Sequence, residues 1–235
     1  MNHHFSRRRV LLLAPALLLA AYATSALAIG LDAFTNQEAT GGLRAALEQG
    51  ASTAVGRLGV ADGFLGNPKL RINLPSALEK VRPMLAMTGQ GQKLDDLVVS
   101  MNRAAEQAVP LAKPLLIQAV RSMNVEDAKR ILAGGDTSVT EFFRSKTADQ
   151  LGAKFLPIVK GVTDKSGLAT QYNALAGQAA GIGLLDGPER SVEGYVTNKA
   201  LAGLFTAIGD EEKAIRANPV EAGSKLAQQV FGALR

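Results

Sequence analysis

Residues 192–217 read VEGYVTNKALAGLFTAIGDEEKAIRA, and this stretch decides the fold. Wound at 100° per residue, Leu201, Leu204, Phe205, Ile208 and Ile215 line up as one apolar stripe. Val196, Ala200, Gly203 and Ala207 form a second stripe of small residues on the opposite side, at i, i+4, i+7 and i+11. A helix that is apolar on two faces is buried on both, and small residues let a neighbour approach closely. The spacing predicts a central helix over 192–217 with other helices packed around it.

Outward from this stretch, nearly every segment keeps the helical period, and strand-like alternation is scarce. A helix is expected over 36–58, with Leu43, Leu47, Ala54 and Leu58 on one face and Thr35 and Glu38 at capping-box spacing. A Gly/Pro-rich connection, 59–75, follows. Within it Leu70, Ile72 and Leu74 alternate with Lys69, Arg71 and Asn73, which marks a short extended segment. Helices follow over 76–87, 92–109 (apolar face Leu94, Leu97, Val98, Met101, Ala105 and Ala108) and 111–123. Asn124, with Asp127 three residues on, caps a helix that Gly134-Gly135 ends. Asp136 is read as the N-cap of a helix bearing Val139, Phe142 and Phe143. Thr147 and Gln150 are read as a capping box opening a separate helix, bent at Pro157. Helices over 168–180 and beyond Asn218-Pro219 complete the count, with a loop at Asp186-Gly187-Pro188 before the central helix. The expected class is all-α, a compact multi-helix domain of nine to ten helices over 29–235.

Residues 1–28 read as a secretory signal. Arg7, Arg8 and Arg9 precede an apolar run from Val10 to Ala23, and Ala26-Leu27-Ala28 supplies small residues for cleavage before Ile29. The run of roughly 14 residues falls short of the ~20 that span a bilayer. The expected address is periplasmic, with no stable membrane span after cleavage. Ser6-Arg7-Arg8-Arg9-Val10-Leu11-Leu12 also fits the twin-arginine pattern, so the Sec and twin-arginine routes both stand.

Cleavage changes the composition that matters. His3 and His4 leave with the signal, so the mature chain has no histidine, cysteine or tryptophan. Three of the 26 basic residues leave too, and the remaining 23 face 21 acids. This near-neutral balance, with no basic stripe interleaved with aromatics, argues against a nucleic-acid partner. Ser-His-Asp and Cys-His catalysis cannot be built, nor can a His- or thiolate-ligated zinc site. No acidic loop has EF-hand spacing, and no P-loop or dinucleotide fingerprint occurs. No metal or cofactor is expected.

Carboxylate, lysine, tyrosine and amide chemistry remains. Asp95, Asn102 and Glu106 project to one flank of the helix over 92–109, where they could line a cleft or form a solvated edge. Lys199 lies beside the small-residue stripe; burial would lower its pKa, whereas snorkelling would take it to water. Tyr172 and Asn173 sit together on the helix over 168–180, and the Tyr172 hydroxyl needs a partner. These six are the candidate ligand-binding residues. None is assigned a catalytic role.

Several stretches carry a resemblance. They are Asp62-Gly63-Phe64-Leu65-Gly66-Asn67-Pro68, Ser100-Met101-Asn102-Arg103-Ala104-Ala105-Glu106, Val125-Glu126-Asp127-Ala128-Lys129, Lys154-Phe155-Leu156-Pro157-Ile158-Val159, Gln171-Tyr172-Asn173-Ala174-Leu175-Ala176 and Tyr195-Val196-Thr197-Asn198-Lys199-Ala200-Leu201. In these the mature chain resembles, nearly end to end, an uncharacterised bacterial exported family, domain of unknown function 4197. The resemblance implies an exported helical protein and brings no activity with it. It also implies an acidic residue where this chain has Ala202, which leaves any site built on that carboxylate without it. The expected function is a non-catalytic binding or interaction module with a periplasmic protein partner. Two alternatives are a carrier of an apolar small molecule or lipid between helices, and a carboxylate/Lys/Tyr enzyme.

Overall fold

Seven α-helices with described bounds, one 3-10 turn and a further helical stretch form over the residues that the computed structural model describes, 36–165, 167, 169–174 and 190–218, and no strand forms among them. The helices are α1 (Asn36–Leu58), α2 (Ser76–Met87), α3 (Gly91–Ala108), α4 (Ala112–Arg121), α5 (Val125–Ala133), α6 (Ser138–Thr163) and α7 (Val192–Ala217). The 3-10 turn Val109–Leu111 joins α3 to α4, and residues 169–174 are also helical. The signal at 1–28, the loop at 186–188 and the helix expected beyond Asn218 lie outside the described residues. No helix among the described residues is long and apolar enough to cross a membrane.

The central stretch behaves as its two stripes require. Leu204, Phe205 and Ile208 are buried, and so are Val196, Ala200 and Gly203 on the other side. α7 packs most extensively on α6 and also meets α1 and α3, so it shares the centre with α6. Leu201 lies over Gly152 of α6, and the Arg144 guanidinium of α6 stacks 4.6 Å from the Phe205 ring centroid. Ile215 and Glu211 lie over Gly50 of α1.

One expected boundary is corrected. The helices read on either side of Thr147 are a single helix, α6. Thr147 is buried, and its hydroxyl donates to the Phe143 carbonyl four residues back (2.7 Å). A threonine bonded in this way continues a helix and does not start one. The apolar series Val139, Phe143, Leu151, Phe155 and Val159 runs through it without a break, and Pro157 lies on the exposed side.

The start of α6 brings a second correction. Asp136 is exposed and does not cap; Thr137 holds the N-cap position and makes no side-chain cap bond. By contrast, the box expected at α5 forms. The Asn124 side chain accepts from the Asp127 N–H (2.7 Å), and the Asp127 carboxylate accepts from the Asn124 N–H (3.3 Å). Asn124→Ala is expected to cost about 1 kcal/mol. Urea unfolding should show a lower midpoint at unchanged slope.

Candidate functional site

The site grows from the connection between α1 and α2. Asp62 adopts a left-handed backbone (φ 67°), which turns the chain sharply after α1. The next position is crowded: a Cβ on Gly63 would sit 2.4 Å from the Leu58 carbonyl oxygen, so only glycine fits. The turn drives Phe64 into the core, where its ring is fully buried against Gly203 of α7. A Cβ on Gly203 would lie 2.5 Å from that ring. Gly203 is therefore the seat of Phe64. Gly203→Ala should cost about 1–3 kcal/mol by overpacking. Pairing it with Phe64→Leu should recover part of the loss, a coupling that a double-mutant cycle detects.

The polar residues of α3 hold this segment from below. One oxygen of Glu106 accepts from the backbone N–H groups of both Phe64 (3.0 Å) and Leu65 (3.1 Å). Successive N–H groups converging on one anion form a nest, and here the anion belongs to the protein. The second Glu106 oxygen takes Arg103 (2.7 Å), whose other nitrogen reaches Asp62 (2.8 Å). Hydrogen bonds to Glu106 and then Asp62 raise the Arg103 pKa above its ordinary value. One turn earlier, Asn102 is fully buried and grips Ile72 at both backbone groups. Its oxygen accepts from the Ile72 N–H (2.9 Å), and its nitrogen donates to the Ile72 carbonyl (2.8 Å). Asn102 thus stands in for a neighbouring strand. It satisfies an extended segment in which Ile72 and Leu74 are buried and Arg71 and Asn73 are exposed.

A groove of about 240 Å³ runs between this held segment and α7. Tyr195, Lys199, Ala202 and Thr206 line it from α7, at i, i+4, i+7 and i+11. Lys69, Arg71 and Asn73 line it from the segment. The Tyr195 hydroxyl donates to the Asn73 carbonyl (3.1 Å), and the exposed Lys199 ammonium lies 5.4 Å from the Tyr195 ring centroid. Lys69 forms an ion pair with Asp210 (2.6 Å).

Three of the six candidate residues, Asn102, Glu106 and Lys199, thus gather around one segment. Asp95 and Asn173 are engaged elsewhere. Asp95, two turns before Asn102, pairs with Arg82 on the surface (3.0 Å). Asn173 accepts from the Val192 N–H (2.8 Å) and donates to Glu193 (2.8 Å), fixing the start of α7 together with the Ser191 N-cap. Tyr172 is buried beside it in sequence.

The residue that does cap α6 is Glu212 of α7, whose side chain is 1% exposed. Its two oxygens accept from the N–H groups of Val139 (3.0 Å) and Thr140 (3.1 Å), the duty an N-cap side chain normally performs. Arg216 braces it (3.2 Å) and also donates to the Ile131 carbonyl (3.1 Å) and the Ser138 hydroxyl (2.7 Å). The signal for Glu212 was present in sequence: it lies four residues after Ile208, an acid inside an apolar stripe.

Glu106, Asp127 and Glu212, the buried carboxylates among the described residues, are all bonded to backbone N–H groups and to arginine. Carboxylates held in this way serve as structural acceptors, with their oxygens committed to backbone and arginine. Two further clefts carry mixed charge. One beside α5 and α6 sets Asp127 and Glu141 against Arg130 and Lys146, and one at the end of α1 sets Asp62 and Asp210 against Arg57. An apolar cavity between α1, α6 and α7 holds about 20 Å³, room for one water-sized group and not for an acyl chain.

The profile of a family described as protein of unknown function (DUF4197) matches residues 33–232. No curated protein and no solved structure matches the chain.

Proposed function

Since the chain belongs to this family, whose description assigns no activity, we propose that it is an exported, non-catalytic binding module, with the groove beside 69–73 as its binding surface. The observation that carries this reading is the placement of the candidate polar residues. Asn102 and Glu106 are committed to holding backbone, and Lys199 is exposed and rests over the Tyr195 ring. What they build is a braced groove and not an acid–base pair. Export rests on the leader-like residues 1–28. Among the described residues, the apolar cavity between α1, α6 and α7 is too small for the ligand that the carrier reading requires.

The test is native mass spectrometry of the protein recovered from the periplasm. The expected result is a chain beginning at Ile29 that carries a non-covalent companion, either a small molecule or a protein. A chain retained in the cytoplasm with its leader intact would overturn the export reading. A purified protein that chemically converts the companion would overturn the non-catalytic one.

A further inference from the structure

We infer that the groove between residues 69–73 and α7 recognises an anionic group, a carboxylate or phosphate on a small molecule or at the end of a larger one. This deepens the binding reading and rests on it. Three cationic residues, Lys69, Arg71 and Lys199, line the groove, and no aspartate or glutamate does. The two mixed-charge clefts differ in this respect, since each carries acids among its own lining residues.

The three cations are not equivalent. Lys69 is bonded to both oxygens of Asp210 (2.7 and 2.6 Å), so its charge is largely answered. Arg71 donates to the Leu65 carbonyl over a long 3.4 Å and has no carboxylate partner among the described residues. Lys199 has none either, and it rests over the Tyr195 ring. Arg71 and Lys199 therefore both line the groove with charge that no carboxylate among the described residues answers, one from the 69–73 segment and one from α7. Guanidinium offers a planar fork that matches a carboxylate or phosphate edge, and an ammonium adds a point charge.

The walls carrying these groups are fixed before any ligand arrives. Asn102 grips the backbone at Ile72 next to Arg71, and the Tyr195 hydroxyl holds Asn73 while its ring supports Lys199. Preorganisation of this kind lowers the ordering cost of binding. At about 240 Å³ the groove is below the ~300–1,000 Å³ usual for whole drug-sized ligands. It suits a small anion or one charged end of a longer molecule.

The test is amide-resolved NMR titration of the isotope-labelled protein with pyrophosphate in one arm and citrate in the other, at low and physiological salt. Saturable shifts centred on Lys69–Asn73, Tyr195 and Ala202–Gly203 are expected. Tighter binding in one arm identifies phosphate or carboxylate as the group recognised. Arg71→Ala with Lys199→Ala should weaken binding roughly tenfold or more, the scale of losing charge-assisted contacts. Lys146→Ala, in the mixed-charge cleft, should leave it unchanged. Since Arg71 and Lys199 are exposed, their removal should not unfold the protein, and the unchanged remainder of the spectrum checks this. Absence of saturable shifts in both arms, or shifts unaffected by the double substitution, would overturn the inference. A periplasmic companion retained by the double variant would overturn it as well while leaving the binding module standing. No companion and no anion binding would remove both.

Discussion

Glu212→Ala is expected to destabilise the protein by about 3–5 kcal/mol, the cost of breaking a buried ion pair by removing one partner. The loss has three sources. The N–H groups of Val139 and Thr140 at the start of α6 lose their acceptor. A negative charge disappears from a helix N-terminus, where the dipole favours it. Arg216, only 15% exposed, keeps the Ile131 carbonyl and the Ser138 hydroxyl and loses its counter-charge. Thr137, at the N-cap position, makes no side-chain cap bond and donates its hydroxyl to Glu141 (3.0 Å). Glu212→Gln keeps an acceptor and should cost clearly less. In Glu212→Gly, formate should restore part of the stability, because a ligand that binds only the folded state stabilises it by mass action. Urea unfolding with and without formate measures both effects. A loss under about 1 kcal/mol for the alanine variant, the scale of an exposed pair, would mean that Glu212 is not the cap.

Glu106→Ala carries the second large expectation, about 2–4 kcal/mol, from stranding the Phe64 and Leu65 N–H groups. Its effect should reach the groove, because the turn from Asp62 to Leu65 leads directly into the segment bearing Lys69 and Arg71. Glu106→Gln retains one oxygen for both N–H groups and gives up the ionic part of the Arg103 contact. That variant should stay within about 1–2 kcal/mol of wild type. Equal losses for alanine and glutamine would place the energy in the Arg103 ion pair and not in the backbone nest.

The fold was legible because its elements are periodic. The stripes of 192–217, the apolar face of α3 and the alternation of 71–74 each describe what the structure contains, whereas Lys69 and Leu70 lie in a turn closed on the Asn67 carbonyl. Where the reading slipped, a local signal competed with a tertiary one. Thr147 looks like a cap in sequence, but the apolar series on either side of it continues, and the helix follows the series. Asp136 is a good cap by local rules, yet the N–H groups of α6 are taken by a glutamate more than 70 residues away. Local capping rules cannot reveal a partner from another helix. The candidate site was legible in part for the same reason. Asn102, Glu106 and Lys199 stood out as polar residues beside apolar faces, and the structure brings them around one segment. Arg71 and Lys69 did not stand out, because their role depends on how Asn102 and Tyr195 hold the segment against α7.

Site-resolved hydrogen exchange over residues 62–73 tests most directly the claim that Asn102 and Glu106 are clamps building a rigid binding groove. The amides of Phe64, Leu65 and Ile72 should exchange as slowly as the buried core of α7, opening only with global unfolding. They should speed up selectively in Asn102→Ala and Glu106→Ala. Fast exchange of these three amides in the wild-type protein, at the rate of an unbraced loop, would contradict the account.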